Sequence, residues 1–201
     1  VTLVKVCGLR EEAHVRAARD ADAVGFVVES PRSPRDLPLA EAARLVRAAG
    51  PLQTTVAVTA SRDADALLRI VDQVRPHALQ APADAAFAPV RKLHPTLRIL
   101  AAACPGDPAP PEADLLVLDA ATGDGYGGTG RRLDPALARS VISSSPIPVL
   151  LAGGLAPENV AQAIRDARPH GVDASSGLET EGRKDPRKIA EFVRQARSAL
   201  P

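Results

Sequence analysis

The chain has 201 residues, and its 25 Lys and Arg stand against 24 Asp and Glu for a net charge of +1. That balance gives no electrostatic footing for nucleic acid, and the scattered Phe26, Phe87, Phe192 and Tyr126 make no stacking platform for bases. Cys7 and Cys104 form no disulfide framework, no apolar run reaches the ~18–20 residues that span a bilayer, and the short strand-like start lacks a signal peptide's basic region, so a cytoplasmic protein with reduced thiols is expected.

Short apolar runs alternate with amphipathic stretches. Residues 3–6 read as a strand and 11–20 as a helix, followed by a strand at 23–28 and a helix at 39–49. The next pairs are 54–58 with 63–74, and 78–80 with 84–94. A strand at 98–102 precedes an eroded fifth helix at 105–111, where Pro105, Pro108, Pro110 and Pro111 crowd the chain. A strand at 115–119 leads through a Gly-rich loop at 125–130 to a helix at 135–142. The last pairs are 149–152 with 157–167, and 171–174 with 185–198. Pro157-Glu158 and Pro186 suit the first turn of a helix, where a missing N–H costs nothing.

The strands read as continuous apolar runs, the pattern of parallel strands covered by helices. Strict βα alternation predicts an α/β fold, here a single (β/α)8 TIM barrel over residues 1–201. It is compact against the usual size of about 250 residues. The Pro-rich stretches at 31–38 and 105–111 read as loops within units, not as linkers. With so few aromatic residues, the core must be built from Val, Leu, Ile and Ala.

Chemistry in such a barrel sits where strands end and βα loops begin. The first strand ends in Cys7-Gly8, and a thiol there is either a small buried hydrophobe or a reacting group activated by a nearby cation or helix N-terminus. No His or Lys adjacent to Cys7 in sequence supplies that activation. Cys104, beside Pro105, reads as a bystander. Asp119 closes the apolar run of the sixth strand, and a carboxylate there without partners costs several kcal/mol, so it is a candidate general acid. Arg35, or alternatively Arg32, can clamp a substrate carboxylate with its planar fork. Gly153-Gly154 after strand seven and Ser175-Ser176-Gly177 after strand eight allow backbone N–H groups to approach a phosphate; the competing reading is a helix-start turn and two caps. The loop at 125–130 has neither the Lys-Ser/Thr of a P-loop nor the position of a dinucleotide fingerprint, and is expected to be a flexible active-site loop. His14, His77, His94 and His170 lack ligand spacing, so no metal is expected.

Several of these segments are familiar. Val4-Lys5-Val6-Cys7-Gly8-Leu9, Gly25-Phe26-Val27, Gly127-Gly128-Thr129-Gly130, Leu151-Ala152-Gly153-Gly154-Leu155-Ala156-Pro157-Glu158-Asn159-Val160 and Gly171-Val172-Asp173-Ala174-Ser175-Ser176-Gly177-Leu178-Glu179, then Gly182-Arg183-Lys184-Asp185, resemble the phosphoribosylanthranilate isomerases from end to end. The resemblance implies a cofactor-free Amadori rearrangement of a small molecule, N-(5-phosphoribosyl)anthranilate, in tryptophan biosynthesis. It implies Cys7 as general base and Asp119 as general acid. It further implies Arg35 on the anthranilate carboxylate, with Gly128, Gly154, Ser175, Ser176 and Gly177 binding substrate, the last four as a phosphate cradle. The chain departs from the pattern at Leu79-Gln80-Ala81-Pro82, which lacks a histidine, at Val56-Ala57-Val58, and at Leu133-Asp134-Pro135, which lacks an aromatic pair. The competing readings are a dual-substrate phosphosugar isomerase and a catalytically silent phosphate-binding barrel. A monomer and a homodimer are equally compatible with the exposed helix faces.

Overall fold

The structure is a computed structural model that describes residues 2–120 and 133–199. Eight parallel strands close into a barrel in sequence order, with β1 hydrogen-bonded to both β2 and β8. They are β1 (Leu3–Cys7), β2 (Ala23–Val27), β3 (Thr54–Val58), β4 (Ala78–Pro82), β5 (Arg98–Ala103), β6 (Leu115–Leu118), β7 (Val149–Leu151) and β8 (Gly171–Ala174). The helices are α1 (Glu12–Ala17), α2 (Leu39–Ala48), α3 (Ala64–Val74), α4 (Phe87–Leu93), α5 (Pro135–Ser144), α6 (Val160–Ala167) and α7 (Pro186–Ser198).

Side chains on each strand alternate between two cores, because successive residues point to opposite faces. On β1, Val4 and Val6 face outward into the large sheet–helix core, which also holds Phe26, Leu67, Ile99 and Phe192. The barrel interior is a smaller apolar plug of Val56, Ala78, Leu100, Val117, Leu150 and Ala152. Each fully buried Leu or Ile contributes about 1.5–3 kcal/mol, so these two layers supply the stability that aromatic residues supply elsewhere. Gly171 marks a tight point between β8 and β7, since a Cβ there would lie 2.4 Å from Leu150 Cδ2.

Helix starts follow local capping chemistry. Asp63 accepts from Ala66 N ahead of α3, Asp134 accepts from Ala136 N and Leu137 N ahead of α5, and Asp185 accepts from Arg187 N ahead of α7. Pro135 and Pro186 occupy the first helical turns. Four sequence expectations are corrected. No helix separates β5 from β6, where the prolines leave loop and turn instead of an eroded helix. Helix α6 starts at Val160, not at Pro157: Asn159 Oδ1 accepts from Ala156 N and its Nδ2 donates to Gly154 O, which holds the preceding residues in a turn. Helix α4 starts at Phe87, since Asp84 is drawn to Arg62 Nε at 2.8 Å. Helix α1 is likewise shorter than expected.

An unforeseen piece follows β8. A single 3₁₀ turn (Ser176–Leu178) runs into a small antiparallel hairpin, β9 (Glu179–Thr180) and β10 (Arg183–Lys184), with Gly182 at φ 75° in its turn. Among the described residues no helix is long and apolar enough to cross a membrane.

Candidate active site

A cavity of about 600 Å³ opens at the C-terminal ends of the strands, and Cys7, Arg35, Cys104, Asp119, Asp173 and Ser175 are among its lining residues. The two-residue period explains the placement. Cys7 shares the inward face of β1 with Lys5, and Asp119 follows Val117 of the interior plug by two residues. Asp119 is half-buried, and its N–H donates to Ala103 O at 3.1 Å, which extends the β5–β6 ladder to the rim.

Cys7 is buried. Burial pushes its thiol above the ordinary value, and the charge of Lys5, together with a hydrogen bond from it and the charge of Lys184, opposes that shift without cancelling it. No cation adjoins Cys7 directly along the chain. The structure places Lys5 there from two residues away, because a strand brings alternate residues together. Lys5 is itself buried, and its Nζ donates to Asp173 Oδ2 at 2.9 Å. A Cβ on Gly25 would meet Cys7 Sγ at 2.9 Å and Lys5 Nζ at 3.3 Å, so β2 must be bare at this point.

Arg35 sits against the mouth, while Arg32 is exposed and outside the cavity lining. Its Nε and Nη2 each donate to Glu179 at 2.7 Å, a bidentate pair that raises its pKa. Gly8, at φ 76°, makes room: a Cβ there would lie 2.5 Å from Arg35 Cδ. Glu179 also receives Lys184 Nζ at 2.8 Å. Lys184 further donates to Ser175 O at 2.9 Å and to Ser175 Oγ at 3.3 Å, and the Ser175 hydroxyl donates to Cys7 O at 3.1 Å. The Ser175 hydroxyl therefore locks the end of β8 to the end of β1.

The small residues after β7 and β8 meet. Gly153 and Gly154 adopt positive φ of 86° and 61°, a region where only glycine is unstrained. Gly177 lies so close to the β7 loop that a Cβ would stand 2.1 Å from Leu155 O. Ser176 opens the 3₁₀ turn beside it. Gly154, Ser176 and Gly177 thus lie on two loops that touch beyond β7 and β8, none of the three lines the cavity, and Gly128 lies outside the described residues.

Lys5, Asp173, Glu179 and Lys184 are the site residues that sequence reasoning missed. The alternate spacing of Lys5 and Cys7 signals only that those two share a strand face; Asp173 joins them when β8 closes against β1, and Glu179 and Lys184 belong to a hairpin too short to leave a periodic signal. Two of the histidines do structural work at the opposite end: His77 Nδ1 accepts from Thr55 N and His170 Nδ1 from Val149 N, each at 3.1 Å. Cys104 was read as a bystander, yet it lines the cavity; both cysteines are free thiols.

Comparison with known proteins places this geometry. The family model for N-(5'phosphoribosyl)anthranilate (PRA) isomerase matches residues 4–195. The N-(5'-phosphoribosyl)anthranilate isomerase of Methanothrix thermoacetophila is 40% identical over 98% of this chain and 99% of its own. The crystal structure of TrpF from Jonesia denitrificans superposes with a TM-score of 0.81 at 33% identity, covering 99% of this chain and 98% of that one. A phosphoribosyl anthranilate isomerase solved with reduced 1-(o-carboxyphenylamino)-1-deoxyribulose 5-phosphate has a TM-score of 0.79 at 26% identity, over 98% of this chain and 99% of that one. The chain belongs to the N-(5'-phosphoribosyl)anthranilate isomerase family.

Proposed function

We propose that the chain catalyses the Amadori rearrangement of N-(5-phosphoribosyl)anthranilate to 1-(2-carboxyphenylamino)-1-deoxyribulose 5-phosphate, a step of tryptophan biosynthesis, with Cys7 and Asp119 as its base and acid. One observation carries the assignment of roles: a thiol on β1 and a carboxyl after β6 line one cavity, beside a corner built of glycines and serines. Family membership supports the reaction itself, and the silent-barrel and dual-substrate readings have no observation in their favour. Residues 1–201 act as one domain in this reading.

Asp119 gives a proton to the ring oxygen as the C1′–O bond breaks, which opens the sugar to a protonated Schiff base. The Cys7 thiolate takes the C2′ proton. The C–H electrons form the C1′–C2′ double bond, and the iminium π pair returns to nitrogen. The enolamine then gains a proton at C1′ while its C2′ hydroxyl releases one and becomes the ketone, so the two protons gained, at the ring oxygen and C1′, match the two lost, from C2′ and its hydroxyl, and no external oxidant or reductant is consumed. Arg35 meets the anthranilate carboxylate through the guanidinium edge that Glu179 leaves over. Backbone N–H groups at Gly154, Ser176 and Gly177 receive the phosphate, and Gly128 is a further substrate-binding residue in this reading.

The test follows the fluorescence of phosphoribosylanthranilate after addition of pure protein. Wild type consumes it, while Cys7→Ala and Asp119→Asn each lose turnover with an unchanged circular dichroism spectrum. A Cys7→Ala variant of near-full activity overturns the assignment.

A further inference from the structure

The interior of this barrel is mostly apolar, and directly beneath Cys7 a lysine and an aspartate are both buried in it. Enclosing two charges costs several kcal/mol each after relaxation, and an ion pair of this kind is often replaceable by apolar side chains without loss of stability. Stability alone is therefore a weak reason for Lys5 and Asp173. Their geometry suggests another. Lys5 Nζ reaches Asp173 Oδ2 at 2.9 Å, while Asp173 Oδ1 is buried with no hydrogen-bond partner. Bare backbone at Gly25 lets the ammonium and the Cys7 sulfur crowd the same small volume. Lys5 thus stands between a carboxylate and a thiol, both of which gain from its charge.

We propose that Lys5 and Asp173 are positioning residues with opposite effects on the Cys7 thiol: Lys5 is the counter-charge of the thiolate, and Asp173 competes with the thiolate for that ammonium. This rests on the reading of Cys7 as the base. The other charged groups around Cys7 are already committed. Lys184 from β10 and Arg35 from the β2–α2 loop are both held by Glu179, Asp119 lines the same mouth after β6, and β2 offers only Gly25. Among the charges acting on the thiol, that of Lys5 is the strongest pull toward the thiolate and that of Asp173 the strongest push against it. Lys5 keeps its proton, since the attraction of Asp173 and Cys7 outweighs the effect of burial.

The experiment alkylates the full-length protein with iodoacetamide over a range of pH and quantifies the Cys7 peptide by mass spectrometry, which separates it from Cys104. Lys5→Met is expected to move the Cys7 profile upward by about one pH unit or more, a tenfold slower reaction at a fixed pH below the midpoint. Asp173→Asn is expected to move it downward. The acid limb of kcat/KM should follow in the same directions. Lys5→Met strands a buried carboxylate, so Lys5→Met/Asp173→Asn, which removes both charges, is the companion variant; its profile should also lie above wild type, because the pull of Lys5 exceeds the push of Asp173. An unmoved profile in the double variant, or a shift of both single variants in one direction, overturns the proposal. A shifted alkylation profile with an unshifted kcat/KM limb supports the role of Lys5 and instead refutes Cys7 as the base.

Discussion

Replacing Gly177 by alanine tests whether the loops after β7 and β8 work as one phosphate-binding corner. The new Cβ would stand 2.1 Å from Leu155 O, 2.9 Å from Leu155 C and 3.0 Å from Ala156 Cβ. A carbon–oxygen contact needs about 3.3 Å, so the loops must separate by roughly 1 Å. Two of the three obstructing atoms are backbone, and no rotamer change relieves them. Overpacking of this kind costs about 1–3 kcal/mol, which a urea titration reads as a lower midpoint at unchanged slope. A displacement of about 1 Å at a binding group can cost about 100-fold in rate. Because the displaced groups are the ones proposed to hold the phosphate and not the reacting carbons, the loss should fall mainly on KM in the fluorescence assay. A Gly177→Ala protein with wild-type midpoint and wild-type KM would refute the close packing of these loops and their shared role.

Arg35→Lys should raise KM more than it lowers kcat, since an ammonium cannot serve Glu179 and a substrate carboxylate with one planar fork; Arg32→Lys, at an exposed position, should leave both constants within about twofold. Asp63→Ala removes the cap on Ala66 N and should cost about 1 kcal/mol in denaturant unfolding without touching activity. Burial raises the Glu179 carboxyl, but hydrogen bonds from Arg35 and Lys184 outweigh it and hold the group below the usual carboxylate range. Its folded pKa lies below its unfolded one, so its stabilising contribution is complete above about pH 4.3 and is lost as pH falls through the folded value. Unfolding free energy measured against pH should therefore decline in that window, and less steeply in Glu179→Gln.

How far sequence alone reached depends on which interactions are local. The third and eighth strands, Thr54–Val58 and Gly171–Ala174, emerge with their observed limits because short apolar runs there meet polar or turn-forming neighbours. The starts of α5 and α7 follow from Asp-Pro pairs whose capping needs only the next three residues. The start of α6 was misplaced because Asn159 reaches back to Gly154 and Ala156, so side-chain bonding there competes with the helix. The fifth helix was expected in reduced form, and four prolines removed it altogether.

Sequence by itself determined the alternation of strand and helix, hence the barrel, and it placed Cys7, Asp119 and the small residues at strand ends, because hydrophobic period and glycine placement are written locally. Tertiary structure alone decided what surrounds Cys7. Lys5 reaches the thiol through the two-residue period of β1, Asp173 arrives 168 positions later when β8 closes against β1, and Arg35 is fastened to Glu179 across 144 positions. Charges act through space over a few ångströms, and only closure of the barrel brings these groups within that range.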